Sequence, residues 1–474
     1  MTTREPTNHS TPGKAGHAVV IGGSMAGLLA ARVLSDRFER VTVVERDLLP
    51  EGIENRKGVP QASHAHALLP RGFMIMARLF PGLAGELGSG GAIASDIPAE
   101  SRRYQRGGYC VRFAIGRKSL LMSRPFLEAH IRRRVRALPG VTVLEEHAVT
   151  GLLSSEAGEA GGRVSGVTIK RRVEGASGRR LDADLVVDAS GRGSRALAWL
   201  EEMGYERPPE ERIEIGVGYT TRVYRSRPGD LSGVKFVIIE STPGRERSIG
   251  AMFRMEDERW IVTLGGWLGE RAPADEAGFV EFARNLPAPD IHEVIKDAEP
   301  LGEAVKYNFP ANLRRRYERL RRLPEGYLVT GDALCSFNPI YGQGMSVAAL
   351  EAETLEECLS EGQDGLPRRF YRQISKVVDT PWKLATGADF AHPGVTGNRA
   401  LTTGVTNWYV GHVQRAATHD EQVCRALVMV TGLLAPPNAL FHPKIALRVF
   451  RQMLVRRRQS AASPMPGSEL PEVA

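Results

Sequence analysis

The chain is poor in the residues that build cross-links and metal cages. Its four cysteines in 474 residues, Cys110, Cys335, Cys358 and Cys424, stand far apart with no CxxC spacing. That excludes a disulfide framework and a zinc site and suits a reducing cytoplasm. Lysine is scarce too, with ten among the 63 Lys and Arg. The basic residues outnumber the 55 Asp and Glu, for a net charge of +8, but along the chain they read as dispersed rather than striped, so no nucleic-acid footprint is expected. No apolar run approaches the roughly 18 residues of a spanning helix, and the opening MTTREPTNHSTPGKAG carries no apolar signal region. Neither a transmembrane segment nor export is expected. There is no internal repeat.

What is present suits a large globular chain: 42% hydrophobic and 25% charged residues suffice for two or three cores. His17 to Gly23 (HAVVIGG) predicts a buried strand, Met25 to about Asp36 a helix, and Val41 to Glu45 (VTVVE) a second strand. Arg117 to Leu138 reads as a short apolar stretch and an arginine-rich helix, and Val141 to Glu145 as a strand. Residues 153–163 and 174–179 read as hairpin tips around Val164 to Arg171, and Ala183 to Ala189 as a buried strand running into SGRGSR. From Ile213 to Val223 the alternation sets Ile213, Ile215, Val217, Tyr219 and Val223 on one face, predicting an antiparallel sheet with one apolar face that Phe236–Ile239 and Trp260–Leu264 continue. Beyond residue 350 the pattern is helical, ending in a basic amphipathic helix from Phe441 to Arg458.

The first chemical signal is Gly22, Gly23, Ser24, Met25, Ala26 and Gly27, placed between a strand and a helix. Gly22 allows the tight turn and Gly27 the close packing of helix on strand, with the helix N-terminus aimed at a pyrophosphate. Glu45, with Arg46 beside it, ends the second strand about 20 residues on, where an acid accepts from an adenosine ribose. An acid there argues for FAD or NAD over NADP. The second signal decides between them. After Tyr327 to Thr330, Gly331 and Asp332 stand where a ribitol hydroxyl can donate, Pro339 shapes a loop, and Gly342, Gln343, Gly344 and Met345 open a helix whose N-terminus suits a flavin ring edge that turns anionic on reduction.

Together with Asp188 and Gly191 in DASGRGSR, these segments resemble the three motifs of the group A FAD-dependent monooxygenases over residues 17 to about 360. Arg56, Lys57, Gly58 and Val59 resemble that family's flavin-proximal loop, and Arg124, opening RPFLEAHI, resembles its FAD-contacting arginine. Within the family the chain is most similar to the bacterial polyketide-tailoring branch that includes the polyene epoxidases of polyether biosynthesis. It departs from the family at Ser24 (for Gly), at DASG (for Asp-Gly) and at Cys335 (where many relatives have His). The resemblance implies a discontinuous Rossmann-like α/β FAD-binding domain (16–80, 117–195 and 305–360), an inserted β-sheet substrate domain (81–116 and 196–304), a helical region (361–460) and disordered tails (1–15 and 461–474). It also implies NADPH or NADH as electron donor and transfer of one oxygen atom of O2, through a flavin C4a-hydroperoxide, to a hydrophobic small molecule, free or held on a carrier protein. Epoxidation of a polyene stands ahead of aromatic hydroxylation, because no base suited to a phenol stands out. An isoprenoid reductase of the geranylgeranyl type shares the scaffold and is the rival reading.

Several residues have two readings. His64 and His66 in SHAH are weak catalytic candidates and more often loop-packing histidines. Cys335 reads as a small buried residue rather than a nucleophile. Trp260 and Trp267 lack the WxWxIP setting of the flavin halogenases. Val217, Tyr219, Phe236, Phe253 and Trp260 are weak candidates for an apolar substrate pocket, equally well read as core. The arginines of the last helix read as a solvated face.

Overall fold

The computed structural model describes residues 14–154, 162–240 and 242–462, the side chains of Ala15 and of 455–462 aside. Most of the tails expected at 1–15 and 461–474, and most of the turn expected at 153–163, fall outside them, although the first strand already begins at Ala15 and the last helix runs on to Ala462.

Five strands form a parallel sheet in the order Tyr327–Val329, Leu185–Asp188, Ala15–Ile21, Phe38–Val44, Val141–Leu144. Val19, Val20, Val43, Val186, Val187 and Leu328 have no accessible surface, which is why these strands read as unbroken apolar runs rather than alternating ones. Ile21 pairs with both Val44 and Asp188, and Asp188 with Val329. Thr330, Ala189, Gly22 and Glu45 therefore follow one another along a single carboxyl edge, where ligands of open α/β sheets bind. The motif near residue 330 is 300 residues from the first glycines in sequence and two strands away in space. The helix Gly344–Ser360 then packs against the helix Met25–Ser35 and against Pro70–Leu79.

A second, nine-stranded sheet is built on Glu210–Arg225, which is flanked by antiparallel Arg259–Gly266 and Val305–Arg315. Ser248–Met255, Phe236–Glu240 and Ser101–Gln105 extend it, the last in parallel. Two expectations change here. Val305–Arg315 is a long partner of Glu210–Arg225, so the domain boundary placed at 305 falls early; its mixed sequence hid the strand. The sheet also has two buried faces in place of one, because the helices Glu276–Arg284 and Asp290–Ile295 bring Phe279 and Ile291 down on Tyr224, Trp260, Val262 and Leu264. Only its other face turns toward the parallel sheet, with Val217, Tyr219 and Phe309 joining the main core.

The helices Leu366–Asp389, Thr403–Ala416, Glu421–Thr431 and Pro443–Ala462 complete the chain, and the last three share a core around Val413, Val423, Leu427 and Val449.

Candidate cofactor cleft

Gly22 adopts φ +98°, and a Cβ there would meet the Ala189 carbonyl at 2.7 Å; a Cβ on Gly27 would lie 1.8 Å from the Gly22 carbonyl. Only glycine permits this turn and this approach of helix to strand. The helix that follows starts at Met25 without a side-chain cap and without an acid in its first turn. Ser24 sits at the N-cap, but its hydroxyl donates to Glu128 Oε2 (3.3 Å) and accepts from Arg124 Nη2 (3.0 Å). The first amides of the helix are thereby left to an external anion.

Glu45 is buried and accepts from the Gly23 amide at 2.7 Å. Arg56 stands against it at 3.2 Å, against Asp47 at 3.2 Å and against Glu128 at 3.1 Å, and donates to the Gly23 carbonyl. These three carboxylates hold the guanidinium firmly in its charged form even though burial opposes it. The loop from Arg56 to Val59 is thus anchored at Glu45, with Gly58 donating to Asp47 at 2.7 Å and Lys57 exposed. Arg46 lies exposed at the strand end.

At the other strand ends the two expected acids part company. Asp188 has no accessible surface and accepts from the Ser190 amide (2.8 Å), Ser190 Oγ (2.5 Å), Ser194 Oγ (2.6 Å) and Tyr327 OH (3.1 Å). Its acceptors are spent on folding the turn through Gly191. Asp332 is exposed to water, yet it lies deep enough that burial raises its carboxyl above the ordinary range against the opposing pull of Arg124 and Arg192. Accessibility at such depth marks the wall of a cleft.

Arg124 is the hub of that cleft. Its charge acts on Asp332, Tyr219, Tyr307 and His66, while its guanidinium reaches Ser24. The rings of His64, Tyr219 and Tyr307 cluster with centroids 4.8 to 5.5 Å apart, and Arg192 lies 4.5 Å over the Phe309 ring. His64 is fixed by Thr221 Oγ1 at 2.7 Å; burial lowers its pKa to about 4, and burial beside Arg124 lowers that of His66 to about 3. Both imidazoles are neutral at pH 7 and weak as bases. Burial raises the phenols of Tyr219 and Tyr307, which stay protonated.

The loop at Pro339 packs beside the histidine segment. A Cβ on Gly342 would touch Ala67, which sets the loop beside the His64–His66 segment. Gly344 is exposed with nothing within 4 Å of where its Cβ would lie, and it opens a helix that again has neither a side-chain cap nor a first-turn acid. Arg124 Nε, His64 Nε2 and Gln343 Oε1 are buried without a partner. Two uncapped helix starts and three orphaned polar atoms are what a bound polar cofactor would satisfy.

Of the apolar candidates, Tyr219 joins the ring cluster, Val217 is fully packed, and Phe236 and Phe253 pack with Ala65 and Leu121 at the far side of the histidine loop. Trp260 belongs elsewhere. It lies on the outer face, donating its Nε1 to Asp230 at 3.0 Å, because its neighbours Ile261 and Phe253 take the inner positions. Sequence reasoning missed Arg192, Tyr307, Phe309 and above all Asp389. Asp389 has no accessible surface and accepts from Trp267 Nε1 (2.8 Å), Asn338 Nδ2 (2.7 Å), Tyr341 OH (2.8 Å) and Asn312 Nδ2 (2.7 Å). It ties the Pro339 loop to the second sheet from the end of a helix that carries no motif.

No family model matches the chain. It is 36% identical over 395 residues to Protein Rv3254 of Mycobacterium tuberculosis, covering 79% of this chain and 80% of that one. Among solved structures it resembles the flavin-dependent brominase Bmp2 (TM-score 0.63, 14% identity, 94% of this chain and 100% of that one). It also resembles the p-nitrophenol 4-monooxygenase PnpA of Pseudomonas putida (TM-score 0.60, 17% identity, 90% and 99%). The chain belongs to one family with Rv3254, and its fold is that of the flavin-dependent monooxygenases and halogenases.

Proposed function

We propose that the protein is an FAD-dependent monooxygenase that places one oxygen atom of O2 on a hydrophobic small molecule, with an electron-rich alkene of a polyene polyketide as the preferred acceptor. The observation that supports this reading is a pair of uncapped helix starts, at Met25 and Gly344, on two helices packed against each other, with Arg124 reaching Ser24 at one of them and acting on Asp332. When bound, FAD supplies O2 activation, with NADPH or NADH as electron source; the balance is alkene, O2, NAD(P)H and a proton to epoxide, water and NAD(P)+. The chain binds and orients. The free amides at the start of the helix, from Met25 to Gly27, would take the pyrophosphate, Glu45 a ribose hydroxyl, Asp332 and Arg124 the ribitol, and the helix start at Gly344 the ring edge that gains negative charge. Tyr219, Tyr307 and Phe309 keep water from the acceptor.

His64 and His66 are weak bases and the phenols of Tyr219 and Tyr307 stay protonated, so none of these four side chains is suited to deprotonate a phenol, which favours an alkene over an aromatic ring. The test is turnover of the FAD-loaded protein with candidate polyenes under 18O2. One labelled oxygen per product, matched to one NAD(P)H, supports the proposal. Reduction of a double bond without O2 uptake would establish the isoprenoid-reductase reading, and a colourless protein that takes up no FAD would end both.

A further inference from the structure

The dispersal of basic residues expected from the sequence fails when charge is followed by region. Residues 390–462 hold nine Lys and Arg against Asp420 and Glu421 alone, so +7 of the net +8 falls within this stretch. Both acids are already engaged, Asp420 by Arg448 at 2.8 Å and Glu421 by Arg425 at 2.9 Å. The same stretch carries eight of the fourteen large hydrophobic side chains exposed among the described residues. Cations and exposed apolar groups are concentrated together.

They are also ordered. On the helix Pro443–Ala462, Ile445, Val449 and Met453 face the local core. At 100° per residue, Leu447, Phe450 and Leu454 fall on the opposite side, 72%, 46% and 61% exposed, with Lys444 and Arg451 along their flank. The Tyr409 ring, on the helix Thr403–Ala416, meets Phe441 at 4.7 Å and Phe450 at 6.4 Å, which joins the apolar faces of the two helices. Trp408, one residue earlier on that helix, is 53% exposed, its ring 4.7 Å from that of His412. An apolar strip edged by cations, with aromatic side chains at its margin, is the composition of a helix lying in a bilayer interface.

We propose that this helical module docks on an anionic lipid surface, with Leu447, Phe450 and Leu454 entering the headgroup layer and Lys444 and Arg451 meeting lipid phosphates. Charge selects the occupant. A second copy of the chain would set one +7 stretch against another, whereas an anionic bilayer complements the cations and covers the apolar strip at once. The other four tryptophans, Trp199, Trp260, Trp267 and Trp382, are buried, which leaves Trp408 as the exposed tryptophan, and it belongs to this module.

The test uses the full chain with vesicles of phosphatidylcholine, pure or mixed equally with phosphatidylglycerol. The expected result is sedimentation with the mixed vesicles at least about tenfold tighter than with the neutral ones, weakening as salt rises, with a blue shift of tryptophan emission. The combined variant Leu447→Ser, Phe450→Ser, Leu454→Ser should lose about tenfold in vesicle binding while keeping a cooperative thermal transition, since Leu447 and Leu454 lie outside the core and Phe450 touches only its edge at Tyr409. Lys444→Gln with Arg451→Gln should lose the preference for phosphatidylglycerol. Absence of binding to both vesicles overturns the proposal. So does binding that is indifferent to both variants, or a dimer that the triple variant dissociates.

Discussion

Asn338 donates to Asp389 at 2.7 Å, fastening the residue just before Pro339 to the end of a helix 51 positions later. Tyr341 makes the same attachment from the far side of the turn, and Trp267 and Asn312 add two donors from the second sheet. One carboxylate therefore holds the loop that shapes the cleft against two other parts of the molecule. Replacing Asp389 with Ala strands four buried donors, and a loss of about 3 to 5 kcal/mol in denaturant unfolding is expected, together with weaker FAD retention. A loss below about 1 kcal/mol would show that the loop is held by other contacts.

Gly344 separates folding from cofactor binding. Nothing surrounds the position its Cβ would occupy, and alanine at a helix start is no worse than glycine. G344A should melt within about 1 kcal/mol of the parent without cofactor. With the flavin edge seated on this helix start, the added methyl should weaken FAD binding at least about tenfold in a fluorescence titration. Equal affinity would place the ring elsewhere.

Glu351 lies under the same cleft, buried and accepting from Thr330 Oγ1 at 2.7 Å and from the Gly331 amide at 2.5 Å, while its Oε1 has no partner. Burial raises its pKa from 4.5 to about 7. The folded state therefore binds the proton that the unfolded state releases, and this residue's contribution to stability falls as pH rises from about 4.5 through about 7, by about 3 kcal/mol in all. E351Q, which carries no such charge, should gain on the parent by that order between pH 5 and pH 8 in paired unfolding curves. Parallel curves would mean that Glu351 stays ionised throughout.

His64 carries the opposite pH dependence. Its folded pKa, about 4, lies below the 6.5 of the unfolded chain, so folding excludes the protonated form and stability is lost as pH falls below 6.5. At pH 5 the penalty is about 2 kcal/mol, and H64Q should recover much of it relative to its effect at pH 7.5. The same variant should leave the pH profile of turnover between pH 6 and 8 unshifted, because the imidazole is already neutral there. A profile that loses an ionisation near neutrality would make His64 the titrating group of the reaction.

The parts of the cleft nearest the backbone were legible in the sequence because their constraints are local. Gly22 and Gly27 are demanded by a turn and a helix approach within six residues, and Glu45 by the end of the next strand. Gly331 and Gly344 announce themselves in the same way, by what a backbone must do near a ligand. Asp188 reads identically to Asp332, an acid closing an apolar run, yet one is consumed by Ser190 and Ser194 and the other faces the cleft. No local pattern distinguishes them.

Residue order alone determined the parallel nucleotide unit, since hydrophobic runs and glycine spacing act through neighbours along the chain. Which face of the second sheet Trp260 occupies, which carboxylate anchors the Pro339 loop and where the net charge meets exposed apolar surface were decided by tertiary packing. Those outcomes depend on what lies opposite each side chain across 50 to 300 residues, and a linear pattern carries no term for that.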